Sequence, residues 1–458
     1  MTKRSPVSPA PGPLEDYATR FDDLFGARAQ RHAFRRYLEG LLLPAERNKT
    51  LTGLANTEPV VGAQRKEAQS LQWFLSESRW DPKEVNERRF KLLLLEEPST
   101  AANDEGVLVI DEHGDRKWGK RTAHVGRQWL ANIGKTENGV VSVSSLWADE
   151  GVYYPIAFEP YTPSHHFEGG KNNPLFRTKL KIAEELVESA VEKSIPFRAV
   201  VADSFYGEDR EFKRSLGKLG VGYVLALKKS HSWWHLEGTI GALWQAAEAA
   251  GWKGTHEPGD WTKVVRTFRD GHSEEWWALE VEAGPYGKER AQRALVVTPD
   301  PKELPDLATW YLTTNLPAPG SEQANESDDL APASVAEVVR LYGLRMWVEQ
   351  SYKQVKHALG WSDYQVRSEL AIRRHWQLVC LAFSFCWWAY GRLPIEEMTE
   401  PENDLPTESV GRGKKEAQGI LAGGLEDGEG VVGAVGNAMA ILEGVLRDAP
   451  AQGAKSAA

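Results

Sequence analysis

Sulfur is scarce in this chain, whose 458 residues include two cysteines and four methionines. Both cysteines, Cys380 and Cys386, fall inside one apolar run, LVCLAFSFCWW. That placement excludes a disulfide scaffold and a thiolate metal site, and assigns the pair to a core. Long hydrophobic runs are missing too. No stretch of about 18 apolar residues occurs, and the opening MTKRSPVSPAPGP carries no apolar signal region, so the expectation is a soluble, cytoplasmic protein. There is also no surplus of positive charge. A net charge of −10, taken whole, argues against a phosphate-rich partner, which needs clustered Lys and Arg. The acid is concentrated, however. Residues 395–458 carry 12 Asp/Glu against 5 Lys/Arg, and residues 317–334 carry four acids and no base. Without these stretches, at −7 and −4, the remainder stands at +1, which leaves room for a basic face.

The length calls for two or three domains. Residues 1–14 are Pro-rich and read as disordered. Residues 15–98 read as helical, with Asp81 as an N-cap and Pro82 at the first helical position of WDPKEVNERRFKLLLL. This segment holds Arg28, Arg31, Arg35, Arg36, Arg47, Lys49, Arg65 and Lys66, either a DNA-gripping surface or a solvated helical face. After the linker EPSTAANDEG, GVLVID (106–111) has the pattern of a buried strand delivering Asp111 at its end. Strands follow at AHVGRQWLA, GVVSVSSLWA and VYYPIAFEPY, then a helix through FRTKLKIAEELVESAVEKS. A second apolar run, FRAVVAD, ends in Asp203, and a helix and the strand VGYVLALKK come after it. Two strand-end carboxylates can then meet at one edge of a mixed sheet, in a first core segment over 104–228.

Residues 229–316 form a β-rich insertion carrying eight tryptophans, read as core more than as base-stacking platforms. The acidic linker 317–334 ends it. Ser334 is a candidate N-cap for one long amphipathic helix, VAEVVRLYGLRMWVEQSYKQVKHAL. Core helices over 335–392 complete the body, and 393–458 is a mostly disordered acidic tail. In the long helix Tyr342, Arg345, Glu349 and Lys356 are spaced +3, +4 and +7, which keeps them on one face and sets one carboxylate among cations. With Asp111 and Asp203 this makes three hard carboxylates and no Cys or clustered His, a set that favours two Mg²⁺ or Mn²⁺ ions over zinc. For each Asp alone, a turn or cap is the competing reading. Glu112 points to the opposite face of the strand and is not counted as a ligand. Lys120, Arg121 and Arg127, near His124 and Gln128, form a basic turn after Asp111, either a grip on the scissile strand or a solvated hairpin. Arg367, Arg373, Arg374 and His375 are candidates to track a DNA backbone.

These residues resemble the DDE transposases of bacterial insertion sequences, in particular the cut-and-paste group with a Tyr-x2-Arg-x3-Glu-x6-Lys signature. Tyr342, Arg345, Glu349 and Lys356 match that signature without a gap, VLVIDE (107–112) is similar to the first catalytic block and VVADSFYG (200–207) to the second. The resemblance spans about 22–392. It implies an α/β, RNase H-like mixed sheet flanked by helices, interrupted by a β-rich insertion and preceded by a helical DNA-binding domain. It also implies Asp111, Asp203 and Glu349 as catalytic metal ligands. Tyr342, Arg345, Lys353 and Lys356 are implied DNA contacts, and the partners are terminal inverted repeats and target DNA. A homodimer on DNA, located at the nucleoid, is implied as well. Two alternatives stay open: a domesticated DNA-binding protein that no longer cleaves, and an RNase H-like nuclease without strand transfer.

Overall fold

The computed structural model describes residues 7–10, 12–43, 47–96, 100–234, 240–267, 272–281, 292–326, 330–346, 348–349, 355 and 358–390. Lys353, Lys356, the tail 393–458 and part of segment 1–14 fall outside them. The chain divides into two compact units, one within Met1–Ala101 and Gln354–Val445, the other within Ala102–Lys353. No helix among the described residues is long and apolar enough to cross a membrane.

The second unit is built on a ten-stranded sheet. Strand β1 (Val107–Arg116) is followed by β2 (Gly126–Leu130), β3 (Lys135–Ala148) and β4 (Tyr153–Tyr161). Next come β5 (Ala199–Ala202) and β6 (Tyr223–Ala226). The order β4-β3-β1-β5-β6 has β3 and β4 antiparallel to their neighbours and β1, β5 and β6 parallel. This mixed sheet flanked by helices is the RNase H-like arrangement. The apolar runs explain its centre. Val107–Ile110 and Ala199–Ala202 are fully buried, as strands covered on both faces must be. Edge strand β2 instead alternates buried and exposed. One cover is the helix Lys179–Glu192, capped by Thr178 through Lys181 N (3.1 Å) and burying Ile182, Ala183, Leu186, Val187 and Ala190.

The Trp-rich segment does not leave this sheet. A small hairpin of β7 (Ser232–Trp234) and β8 (Ile240–Ala242) stands apart, but β9 (Thr262–Thr267), β10 (Ser273–Val281), β11 (Arg293–Thr298) and β12 (Trp310–Thr314) extend it beyond β6. The junction is the antiparallel pairing of β12 with β6, Leu312 opposite Ala226 and Thr314 opposite Val224. Successive strand residues face opposite sides. Trp277 accordingly joins Trp233, Trp261, Leu243 and Leu279 in a cluster on one face, while Trp276 meets Trp310 (5.1 Å between rings).

In the first unit the helices Arg28–Leu42, Lys66–Ser76 and Pro82–Lys91 surround Glu369–Tyr390, which is buried nearly all round from Ala371 to Ala389. Asp81 caps the third of these through Lys83 N (2.8 Å). The C-terminal helix, expected among the core helices of 335–392, thus completes the N-terminal helical unit. Its apolar circumference needs partners on every side, and the amphipathic N-terminal helices supply them.

Candidate active site

The last parallel pair between β1 and β5 is Ile110 opposite Ala202. Asp111 and Asp203 are the next residue on each strand, so two carboxylates stand side by side where β5 stops. The strands diverge there. β5 ends at Ala202, whereas β1 runs on to Arg116 beside β3 alone, with Asp111 opposite Ser144. Asp111 is therefore not a strand terminus, as the apolar run suggested. It marks the point where parallel pairing ends.

Each aspartate spends one oxygen locally. Asp203 Oδ1 caps the short helix Ser204–Gly207 through Phe205 N (2.9 Å), and Asp111 Oδ1 accepts from Glu112 N (2.8 Å). The cap reading of Asp203 thus holds. Gly207 makes that helix possible, because a Cβ there would lie 1.9 Å from the Ala226 carbonyl oxygen. Glu112 points the other way, to Lys179 Nζ (2.7 Å), as the strand alternation requires.

The third element is the helix Val335–Gly343, with Ser334 as N-cap through Glu337 N (3.1 Å). Three arginines hold it in place. Arg198, just before β5, pairs with Glu337 (2.8 Å) and donates to Ala331 O; Arg293 donates to Ala333 O (2.7 Å); Arg340 reaches Glu150 (2.5 Å). None of the three carried a signal in the sequence, since each works through contacts distant along the chain.

The long helix expected from Ser334 onwards is broken. After Gly343 the residues Leu344 and Arg345 form a turn, in which Arg345 N bonds Tyr342 O (3.1 Å) and Val348 N bonds Arg345 O (3.0 Å). A spacing of three replaces the α-helical four, and Gly343 is the weak point that permits it. Helix resumes at Met346 and includes Glu349.

The turn aims Arg345 into the site. Its guanidinium lies 3.3 Å from Asp111 Oδ2, with only about a fifth of the side chain exposed. Burial opposes its charge, but Asp111, then Tyr342, Asp203 and Glu349, outweigh burial and raise its pKa. Burial raises Asp111 to about 6; Arg345 works against that and Asp203 adds to it. Tyr342 is buried and its hydroxyl is raised, first by burial, with Asp203, Asp111 and Glu349 contributing. All three carboxylates therefore lie in one electrostatic neighbourhood. They do not yet share a cage: among the described residues no three His, Cys, Asp or Glu side chains are grouped closely enough to hold a metal. Glu349 is exposed.

The donor set still fits a divalent cation. Asp111 and Asp203 offer hard carboxylate oxygens, neighbours in register, whose negative charge Arg345 partly offsets. Beside them lies a group that sequence reading missed. Trp310 packs 4.9 Å from the Tyr342 ring, and the Arg266 guanidinium sits 4.4 Å from both Trp310 and Trp276. Strand alternation places Arg266 and Trp276 on one face, but only the sheet brings Trp310 to Tyr342.

Aspartates side by side where parallel pairing ends, an arginine paired with one of them and an RNase H-like sheet already narrow the family. The profile described as DDE superfamily endonuclease matches residues 20–279, and that of the transposase DDE domain matches 177–385. A probable transposase for insertion sequence element IS701, from Microchaete diplosiphon, is 31% identical over 367 residues, 80% of this chain and 85% of its own. The chain belongs to the DDE transposase superfamily.

The other residues expected to contact DNA in this transposase are spread differently. Lys120, Arg121 and Arg127 are exposed in the β1–β2 loop and on β2, while His124 and Gln128 turn inward, His124 Nδ1 against Thr162 Oγ1 (2.7 Å). Several cations read as DNA-facing or solvated are structural. Arg35 pairs with Glu15 and Asp22 (2.7 Å each), and Arg31 and Lys49 serve backbone carbonyls. Arg374 donates to the carbonyls of Leu75, Ser78 and Trp80 (2.6–2.8 Å), and His375 lies between Tyr37 Oη and Gly360 O. Arg28, Arg36, Arg47, Arg65 and Lys66 remain exposed.

Proposed function

We propose that this chain is a cut-and-paste DNA transposase that cleaves at the terminal inverted repeats of its element and joins the 3′ ends to target DNA. The observation that carries the proposal is the placement of Asp111 and Asp203 in adjacent register, with both of them and Glu349 acting on the charge of Arg345. In this reading Asp111, Asp203 and Glu349 hold two Mg²⁺ or Mn²⁺ ions. Such ions, when bound, activate a water or a 3′-hydroxyl on one side of a phosphodiester and stabilise the departing oxygen on the other.

The protein's own groups do the positioning. Asp203 uses one oxygen to fix its turn and keeps the other for the site, and Asp111 does the same against its strand backbone. Glu349, carried on the helix that resumes after the Leu344–Arg345 turn, would complete the carboxylate set. Arg345, Lys353 and Lys356 grip phosphates near the cleaved end, Tyr342 contacts the backbone, and Lys120, Arg121 and Arg127 hold the scissile strand. Trp310, against Tyr342, is the insertion tryptophan best placed to meet a base there. Residues 15–98 serve as a DNA-binding domain, and the enzyme works as a homodimer on its ends.

A donor-plasmid excision assay with Mg²⁺, run beside Asp203→Ala, tests the reading. Excision and joining by the wild type, with a loss of about 10³-fold or more in the variant, are expected. Absence of Mg²⁺-dependent cutting leaves a DNA-binding protein, and cutting without joining leaves a hydrolytic nuclease.

A further inference from the structure

The loop between β1 and β2 presents a tryptophan that the catalytic reading does not use. Trp118 is 83% exposed. Single exposed apolar side chains are ordinary, but this one is held out by a brace. The Asn138 side chain donates to the carbonyl oxygens of Lys117 (2.5 Å) and Gly119 (3.1 Å), one on each side of Trp118, and Lys117 N donates to Asn138 O (3.0 Å). The backbone on either side of the exposed indole is thereby fixed. The Arg116 guanidinium covers one ring face at 4.0 Å. Arg127 stands opposite Asn138 in register, and it and the half-exposed Trp129 share the outward face of β2 between buried Gly126, Gln128 and Leu130. Lys120 and Arg121 are exposed in the same loop.

A rigidly held indole with a cation on one face and cations around it has the chemistry of a base-stacking site, the second face taking a nucleobase and the cations its phosphates. We propose that Trp118 is a stacking platform for an unpaired base of bound DNA, separate from the cleavage centre. Arg116 lies five residues beyond Asp111 on a continuously paired strand, about 17 Å at strand rise, or about five nucleotides from the scissile phosphate. That distance is too great for the ring to touch the reacting bond, so its contribution is to binding. The inference rests on the reading of the chain as a DNA transposase.

Fluorescence anisotropy on the full chain in EDTA reads binding without cleavage. The probes are a labelled duplex and the same duplex carrying a short unpaired thymine tract. The wild type is expected to prefer the unpaired tract. Trp118→Ala should lose about 5- to 100-fold on that DNA and less than about twofold on the paired duplex, since stacking contributes about 1–3 kcal/mol per base. Trp118→Phe should keep most of the preference. Equal weakening on both DNAs, or an unchanged preference, overturns the inference and assigns the ring to another role, such as a contact between protein chains. If the wild type binds neither DNA, the transposase reading falls with it. Normal excision with an unaltered preference sinks the stacking site alone.

Discussion

Asp111 is held at a cost. Its carboxyl is raised from 3.8 to about 6, chiefly by burial, which Arg345 only partly offsets, with a smaller contribution from Asp203. A carboxylate with a raised folded-state pKa binds its proton more tightly in the folded protein than in the unfolded one. Metal-free stability therefore falls as pH climbs from about 4 to about 6, by about 3 kcal/mol. Asn cannot ionise. Asp111→Asn is therefore expected to raise the melting temperature of the metal-free protein at pH 7, to show no gain at pH 4, and to abolish cleavage. Calorimetric scans at the two pH values check this, and a lower melting temperature for the variant at pH 7 would contradict it. Buried arginine is the counterpart. Arg374 was legible only as one positive charge among several, because a sequence shows charges and not their partners. In the fold it satisfies three carbonyls of the N-terminal helices. Arg374→Leu should cost about 3 kcal/mol or more and leave the salt dependence of DNA binding by the remaining folded protein unchanged. Denaturant unfolding and a salt titration of binding measure the two effects.

Local signals worked where the element's own residues decide the outcome. The apolar runs ending at Asp111 and Asp203 are strands because both faces are covered, and Asp81 and Ser334 are caps because a short oxygen-bearing side chain there accepts a backbone N–H. Signals failed where a neighbour decides. β1 continues five residues past Asp111 because β3 still accompanies it after β5 has stopped, and the helix breaks after Gly343 although its apolar periodicity continues. The turn after Asp203 depends on a neighbour in the same way. Gly207→Ala would set a methyl group against the Ala226 carbonyl and push the Ser204–Gly207 helix aside, moving Asp203 with it. A displacement of about 1 Å at a catalytic group costs about 10²-fold, so Mg²⁺-dependent cleavage should fall by about that factor while far-ultraviolet circular dichroism is retained. A variant cleaving at the wild-type rate would show that the turn does not position Asp203.

At the scale of the molecule, a mixed sheet was legible from the order of strands and helices, and its RNase H-like character from the resemblance carried by the two Asp blocks and the Tyr-Arg-Glu-Lys signature. What no periodicity could show is that β12 returns to pair with β6, making the Trp-rich segment a continuation of the catalytic sheet and bringing Trp310 to Tyr342. Nor could it show that Glu369–Tyr390 packs among helices that lie about 300 residues earlier, as the bonds of Arg374 to Leu75, Ser78 and Trp80 record. Both are long-range pairings, invisible to a window of a few turns. The same organisation sets the central question, whether Asp203, visibly a helix cap, is also a ligand for the ions that cut DNA. Asp203→Asn keeps the cap and removes the charge; Asp203→Cys substitutes a softer ligand, which Mg²⁺ accepts poorly and Mn²⁺ accepts better. Excision by wild type and both variants, each with Mg²⁺ and with Mn²⁺, decides it. Asp203→Asn is expected to be inactive with either ion, and Asp203→Cys to be inactive with Mg²⁺ but to regain excision with Mn²⁺; activity of Asp203→Asn with Mg²⁺ would contradict a ligand role for Asp203.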